Sequence, residues 1–173
     1  MNTRRHGFTI VEVLITIIVI GILAAIVLIG YNGMKSRSQA AAISDGLVKV
    51  ERSMNAWGLN NELARWPLDP ISGGGKPLQE MIDEDPSLRE NLSSIPKVSG
   101  VHTDDWFYDN EGDIKTECDM HYDGVNIVVR FVRDQSVAQA VDDTLDDGDL
   151  LCGKVRYVDE RIFYALSYTQ QFE

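Results

Sequence analysis

The stretch FTIVEVLITIIVIGILAAIVLI, from Phe8 to Ile29, decides how the rest of this chain is read. Eighteen of its twenty-two residues are apolar, and Glu12 is its only charge. At about 1.5 Å per residue, such a helix is roughly 33 Å long, which matches a hydrocarbon core of about 30 Å. A secretory signal has a shorter apolar region, roughly 7–15 residues, closed by a small-residue cleavage site. Here the run is longer and passes through Gly30 into a further helical pattern. It reads as a membrane-held helix.

Glu12 is out of place in that reading, because a carboxylate at mid-membrane costs roughly 2.5–3.5 kcal/mol. Either it lies near one end of the span and reaches the headgroups beside Arg4 and Arg5, or it has a positive partner. Just before the span stands MNTRRHG, a short basic leader ending in Gly7. Leader and span together, with Gly7, Phe8 and Glu12 framed by Thr9, Ile10, Val11, Val13 and Leu14, resemble the class III signal and first helix of type IV pilins and pseudopilins. The resemblance covers residues 4–30 and becomes one of layout beyond Trp57. It implies that a prepilin peptidase cuts after Gly7, that the new Phe8 amine is methylated, and that Glu12 serves assembly. It also places the leader in the cytoplasm. Charge counting cannot do so, since Lys35 and Arg37 behind the span balance Arg4 and Arg5 before it.

Elementary electrostatics agrees with that implication. Cutting at Gly7 leaves a cationic amine on Phe8, one helical turn from Glu12 at i,i+4. Helices shifted axially can then pair Glu12 of one subunit with the Phe8 amine of the next, which removes an unpaired buried charge. Many members of the family carry a proline partway down this helix, whereas here the first proline is Pro67. Gly21, Gly30 and Gly33 are its weak points, each costing about 1 kcal/mol of propensity relative to Ala.

The 173 residues suffice for one domain and its core. Their net charge of −11 is unevenly spread: residues 1–57 carry a formal +3 and residues 58–173 a formal −14. So acidic a body argues against direct nucleic-acid contact, where Lys and Arg must displace counterions. Behind Gly33, the residues Ile43, Leu47, Val50, Met54 and Trp57 repeat at alternating spacings of four and three, a stripe that faces a core. The expected layout is a leader at 1–7, a transmembrane or filament-core helix at 8–30, an amphipathic continuation at 31–57, and a globular head at 58–173.

Within residues 58–100, Gly and Pro punctuate a connection, and a short helix over Leu78–Leu92 should split at Asp85-Pro86. The Gly73–Lys76 run lacks the spacing of a phosphate loop. Trp106–Tyr108 and Ile114–Glu117 read as a hairpin around Asp109–Gly112. Val125, Ile127, Val129 and Phe131 alternate as a strand burying one face. Val137, Val141 and Leu145 mark a second helix. Val155 and Tyr157, then Ile162 to Tyr168 across Asp159–Arg161, close the head with another hairpin. The fold class is therefore α+β: a long N-terminal helix packed on a small antiparallel sheet, pilin-like.

Two cysteines remain, Cys118 and Cys152, and an exported head would oxidise them to a disulfide. No Cys-x-x-Cys zinc pattern occurs. The run DDTLDDGDL offers Asp142, Asp143, Asp146, Asp147 and Asp149 as possible calcium ligands, but without EF-hand spacing, so it reads as a solvated acidic helix end. No metal and no cofactor are expected. Neither Gly-x-Ser-x-Gly nor His-Glu-x-x-His occurs, which leaves an enzyme reading nothing to rest on.

The function expected is a prepilin of a type IV pilus: a single-pass membrane precursor, held in lipid, then a subunit of an extracellular filament. Its partners would be other pilin subunits, the prepilin peptidase and the pilus assembly platform. The alternatives are a pseudopilin of a type II secretion or DNA-uptake system, and a single-pass protein whose head binds a ligand or acts as an enzyme.

Overall fold

The computed structural model of the chain describes residues 9–60, 75–110 and 125–166. The chain divides into two units, Met1–Lys35 and Ser36–Glu173. One helix, α1 (Ile10–Asn60), contributes to both. It begins at a Thr9 cap and runs three residues beyond Trp57, through Gly58. Interior glycine weakens a helix only by about 1 kcal/mol, which an otherwise strong segment absorbs.

In the second unit, Ile43, Leu47, Val50 and Met54 have no exposed surface, and Trp57 is buried with them. Hydrogen bonds fix this part of α1 to the head at three levels. Ser36 Oγ donates to Asp134 Oδ2 at 2.8 Å, and Trp57 Nε1 donates to Ser87 Oγ at 2.9 Å. Between them, Glu51 accepts from Lys154 Nζ at 2.7 Å and from the Tyr164 hydroxyl at 2.5 Å. At Gly46 a Cβ would stand 2.7 Å from the Trp106 ring, so this turn of the helix admits the ring only because it has no side chain.

The head is an antiparallel sheet with the strand order β1-β2-β3-β5-β4, made of β1 (Lys76–Pro77), β2 (Trp106–Asp109), β3 (Asn126–Val129), β4 (Val155–Val158) and β5 (Arg161–Ala165). The registers are Pro77↔Phe107, Trp106↔Val129, Ile127↔Tyr164 and Val155↔Tyr164. Three helices complete it: α2 (Leu78–Glu84), α3 (Pro86–Asn91) and α4 (Gln135–Leu145). The expected split at Asp85-Pro86 is present. Asp85 ends α2 and caps α3, its Oδ1 accepting from the Ser87 and Leu88 amides. The Ser87 hydroxyl, which donates to the same oxygen at 2.6 Å, and then these amide bonds hold its carboxyl below the ordinary aspartate range.

The sheet departs from the sequence reading in three places. Among the described residues β2 pairs with β1 and β3, and its expected hairpin partner, Ile114–Glu117, lies outside the described residues. The partner missed is Lys76-Pro77, where a proline is tolerated because β1 is an edge strand. Gly75 leads into it at φ +69, where a Cβ would lie 3.0 Å from the Tyr108 carbonyl oxygen.

Second, β3 is buried on both faces rather than one, with Asn126 and Val128 as inaccessible as Ile127 and Val129. Asn126 can be inside because Arg156, also buried, hydrogen-bonds its side-chain oxygen. Third, Phe131 is not in the strand. It sits 57% exposed at φ +61, past the point where β3 ends. The turn from β4 to β5 has Asp159 and Glu160 at φ +50 and +60, the paired left-handed conformation of a tight hairpin, and Arg161 already belongs to β5.

Candidate functional site

The first unit offers a surface rather than a cleft. From Ile10 to Leu28 every described side chain is exposed, Ile10 at 84% and Val19, one of the least, at 48%. Nineteen residues of helix span about 28 Å, and they are apolar on every side. A helix of that kind belongs in lipid or among other helices, since water-exposed apolar patches of this extent mark a surface that something covers. The segment is long and apolar enough to cross a membrane. Thr16 does not interrupt it, because its hydroxyl donates to the Val13 carbonyl at 2.7 Å and so brings no unmet polar group.

At the head of this segment stands Glu12, in the first turn of α1. Its Oε2 accepts from the Thr9 amide at 2.8 Å and from the Thr9 hydroxyl at 2.9 Å, while the Glu12 amide donates back to Thr9 Oγ1 at 3.3 Å. This reciprocal pair is a capping box, in which two amides that a helix start would leave unmet are satisfied. Its signature, Thr-x-x-Glu immediately before an apolar run, is plain in the sequence, and treating Glu12 only as a membrane charge hides it. The other residues tied to processing, Gly7 and Phe8, lie outside the described residues, as does Cys118. Cys152 lies in the turns between α4 and β4.

In the acidic run Asp143, Asp147 and Asp149 are exposed, as a solvated helix end requires, and Asp142 departs from that reading. Asp142 is wholly buried, and neither of its carboxylate oxygens has a hydrogen-bond partner. Burial, then the charges of Asp146 and Asp147, push its carboxyl up to about 6. The Gly148 amide offsets this without reaching hydrogen-bonding geometry. At the opposite end of α4, Asp134 is an ordinary cap: its Oδ1 accepts from the Ser136 amide and hydroxyl. Those bonds, with that from Ser36, hold it below the usual aspartate range.

Residues 2–28 match the family model of the prokaryotic N-terminal methylation motif. The chain is similar to type IV pilins. The type IV major pilin protein PilE of Neisseria gonorrhoeae is 28% identical over 164 residues, which covers 87% of this chain and 90% of that one. A fimbrial protein of Neisseria meningitidis is 27% identical over 132 residues, covering 68% of this chain and 75% of its own. A fimbrial protein of Dichelobacter nodosus is 36% identical over a shorter stretch of 77 residues, covering 42% of this chain and 46% of its own. No solved structure gives a significant match. The pilin layout, a long N-terminal helix with a small antiparallel sheet in an α+β head, is the architecture of this chain.

Proposed function

We propose that this pilin is made as a single-pass membrane precursor, cut between Gly7 and Phe8 by a prepilin peptidase, methylated on Phe8, and assembled into a type IV pilus on the cell surface. The observation that carries this reading is the exposed apolar helix Ile10–Leu28, which lies within the matched methylation motif. Before assembly its partner is lipid, and the head lies outside the cytoplasm. During assembly, on an assembly platform, the lipid is exchanged for the same segment of other subunits. This exchange leaves the apolar surface covered throughout.

In the filament Glu12 supplies the registering charge. Its carboxylate turns from the Thr9 cap toward the Phe8 amine of a neighbour, a charged donor that makes a stronger bond than a neutral amide or hydroxyl. Cys118 and Cys152 form a disulfide in the exported head. No catalysis is ascribed to the head: the relatives named are structural pilins and fimbrial proteins.

The test is mass analysis of the mature protein together with electron microscopy of cells labelled against the head. A mature chain beginning with N-methyl-Phe8 and labelled surface filaments are expected. A mature chain starting at Met1, or labelling confined to the membrane, overturns the pilus reading; processed protein without surface filaments points instead to a pseudopilin of a secretion or DNA-uptake system.

A further inference from the structure

Phe131 stands apart from the other aromatic residues of the second unit. It is 57% exposed, and no other described phenylalanine or tryptophan of that unit is exposed. Its backbone sits at φ +61, which a bulky side chain adopts only at a cost. Bonds on either side impose that conformation. The Arg130 amide donates to the Asp105 carbonyl and the Val132 amide to the Glu160 carbonyl, both at 2.9 Å. A fixed backbone therefore holds the ring in water. A single exposed apolar side chain is ordinary by itself, so the meaning of this one lies in its neighbours and its place in the chain.

Three arginines share this end of the sheet. Arg130 precedes Phe131 and lies over the Phe107 ring, 3.5 Å from its centroid. One position beyond the Val129↔Ile162 pair on each strand stand Arg130 and the exposed Arg161. Burial, and then the charge of Arg161, hold the Arg130 guanidinium below its ordinary range, so the two cations act on one another. Arg133, two residues past Phe131, is exposed and lies 3.8 Å from the Glu160 carboxylate. These are three of the ten basic residues in 58–173, a stretch whose formal charge is −14. Positive charge is scarce in the head, and here it gathers beside an exposed ring.

The chain enters the head at the same end. Ser36, the first residue of the second unit, donates to Asp134, which follows Arg133 directly. Tyr31, exposed just past the apolar run, is a residue type enriched where membrane meets water. Ser36 follows Tyr31 by five residues, about 7 Å along a helix and about 18 Å at full extension. Headgroup layers are themselves roughly 5–7 Å deep on each side of the hydrocarbon. We propose that Phe131, with Arg130, Arg133 and Arg161, docks the head of the precursor on the lipid surface, the ring among the headgroups and the arginines on their phosphates. The inference rests on the membrane-held precursor proposed above. Guanidinium forks match phosphate oxygens, and attraction to anionic lipid offsets the repulsion that an otherwise acidic head would meet there. Docking holds the head against the bilayer until assembly draws the subunit out.

The experiment uses the full chain in vesicles of phosphatidylcholine, with and without phosphatidylglycerol. Flotation establishes that the chain is membrane-held. Phe131→Trp then reports the position of the patch through lipids brominated near the headgroup, with the parent's own tryptophans as the background. The added tryptophan should be quenched by brominated lipid and shielded from aqueous acrylamide, more strongly with phosphatidylglycerol present. Arg133→Gln and Arg161→Gln, each added to Phe131→Trp, should lower the ratio of docked to undocked head about fivefold in the anionic vesicles. If Phe131→Trp does not fold, fluorine-labelled phenylalanine in the parent reads the same contact through a paramagnetic lipid, its Phe131 signal assigned by loss in Phe131→Leu. A chain that does not float overturns the membrane-held reading and this inference with it. A chain that floats while residue 131 stays open to acrylamide and untouched by brominated lipid overturns the docking alone. So does shielding that follows protein density instead of lipid, which would assign the patch to a second copy of the chain.

Discussion

The two parts of α1, Ile10–Lys35 and Ser36–Asn60, are one uninterrupted helix with opposite relations to their surroundings. In the first, large aliphatic side chains surround the axis, and every one described is exposed. In the second, a single stripe from Ile43 to Trp57 is apolar, and it is buried. The backbone is the same, and what changes is the angular spread of the apolar residues. A stripe can be satisfied by one sheet of the same chain, whereas a full cylinder demands a surrounding solvent of lipid or other helices. The first part is therefore functional through what it is not packed against, the second through what it is.

The largest expected effect removes the first part's release from its leader. Gly7→Val should abolish cutting and leave the precursor in the membrane, since a β-branched residue removes the conformational freedom a protease needs at that bond. The mass of the accumulated protein checks it, with Met1 retained and surface filaments absent. If mature filaments form regardless, the processing site lies elsewhere. Next comes Glu12→Lys, which sets a positive group beside the Phe8 amine where a negative one is proposed. Filaments should be lost at normal precursor cutting, as read by electron microscopy and immunoblot at equal expression. Normal filaments would reduce Glu12 to a helix cap.

Paired substitutions sharpen the contrast within α1 itself. Leu47→Ala removes a side chain with no exposed surface and should destabilise the head by about 2–5 kcal/mol. Ile18→Ala, at a position 51% exposed, should leave the head's Tm unchanged while reducing filament yield. Equal loss of head stability from both would break the contrast between the two parts. A change of the same order is expected from the double substitution Cys118→Ser with Cys152→Ser, about 3.8 kcal/mol in the chain-entropy view of a closed loop of about 35 residues. Denaturant unfolding under oxidising conditions measures it, and two alkylatable thiols in the native parent would show that no bond was present to lose.

How much of this was legible beforehand follows from the same contrast. Periodicity reports a residue's environment when that environment is uniform along one face, so both parts of α1 and the stripe's five core residues could be read directly. It fails where two elements distant in sequence supply the environment. Nothing near Asn126 announces that Arg156 will meet it inside the sheet, and so β3 looked half-buried. Lys76-Pro77 carries no strand pattern and becomes one only because β2 offers an edge. Asp142 sits among five other aspartates in Asp134–Gly153, and composition alone makes all six look solvated. Only the packing of α4 singles one out. The Thr9–Glu12 box is the opposite case, a local signal present in four letters and passed over in favour of a long-range explanation.

The smallest expected effect compares the caps of the two units. Asp134 accepts from Ser136 in its own helix and from Ser36 of α1, so it joins two elements through one carboxylate. Asp134→Ala should destabilise the head by about 1 kcal/mol, the usual worth of an N-cap. Thr9→Val removes the cap of α1 yet should leave head stability untouched, because no core residue depends on it. The pH dependence separates the two further. Asp134 is held below its unfolded value, so its stabilisation is fully present above pH 3.8 and is lost as pH falls through the lower folded value. Stability of the parent measured down through that acid range should therefore fall more steeply than that of Asp134→Ala, and the two curves should converge at the acid end. Parallel curves would mean that the Asp134 carboxylate gains nothing from its charge and that Ser36 and Ser136 contribute by packing alone.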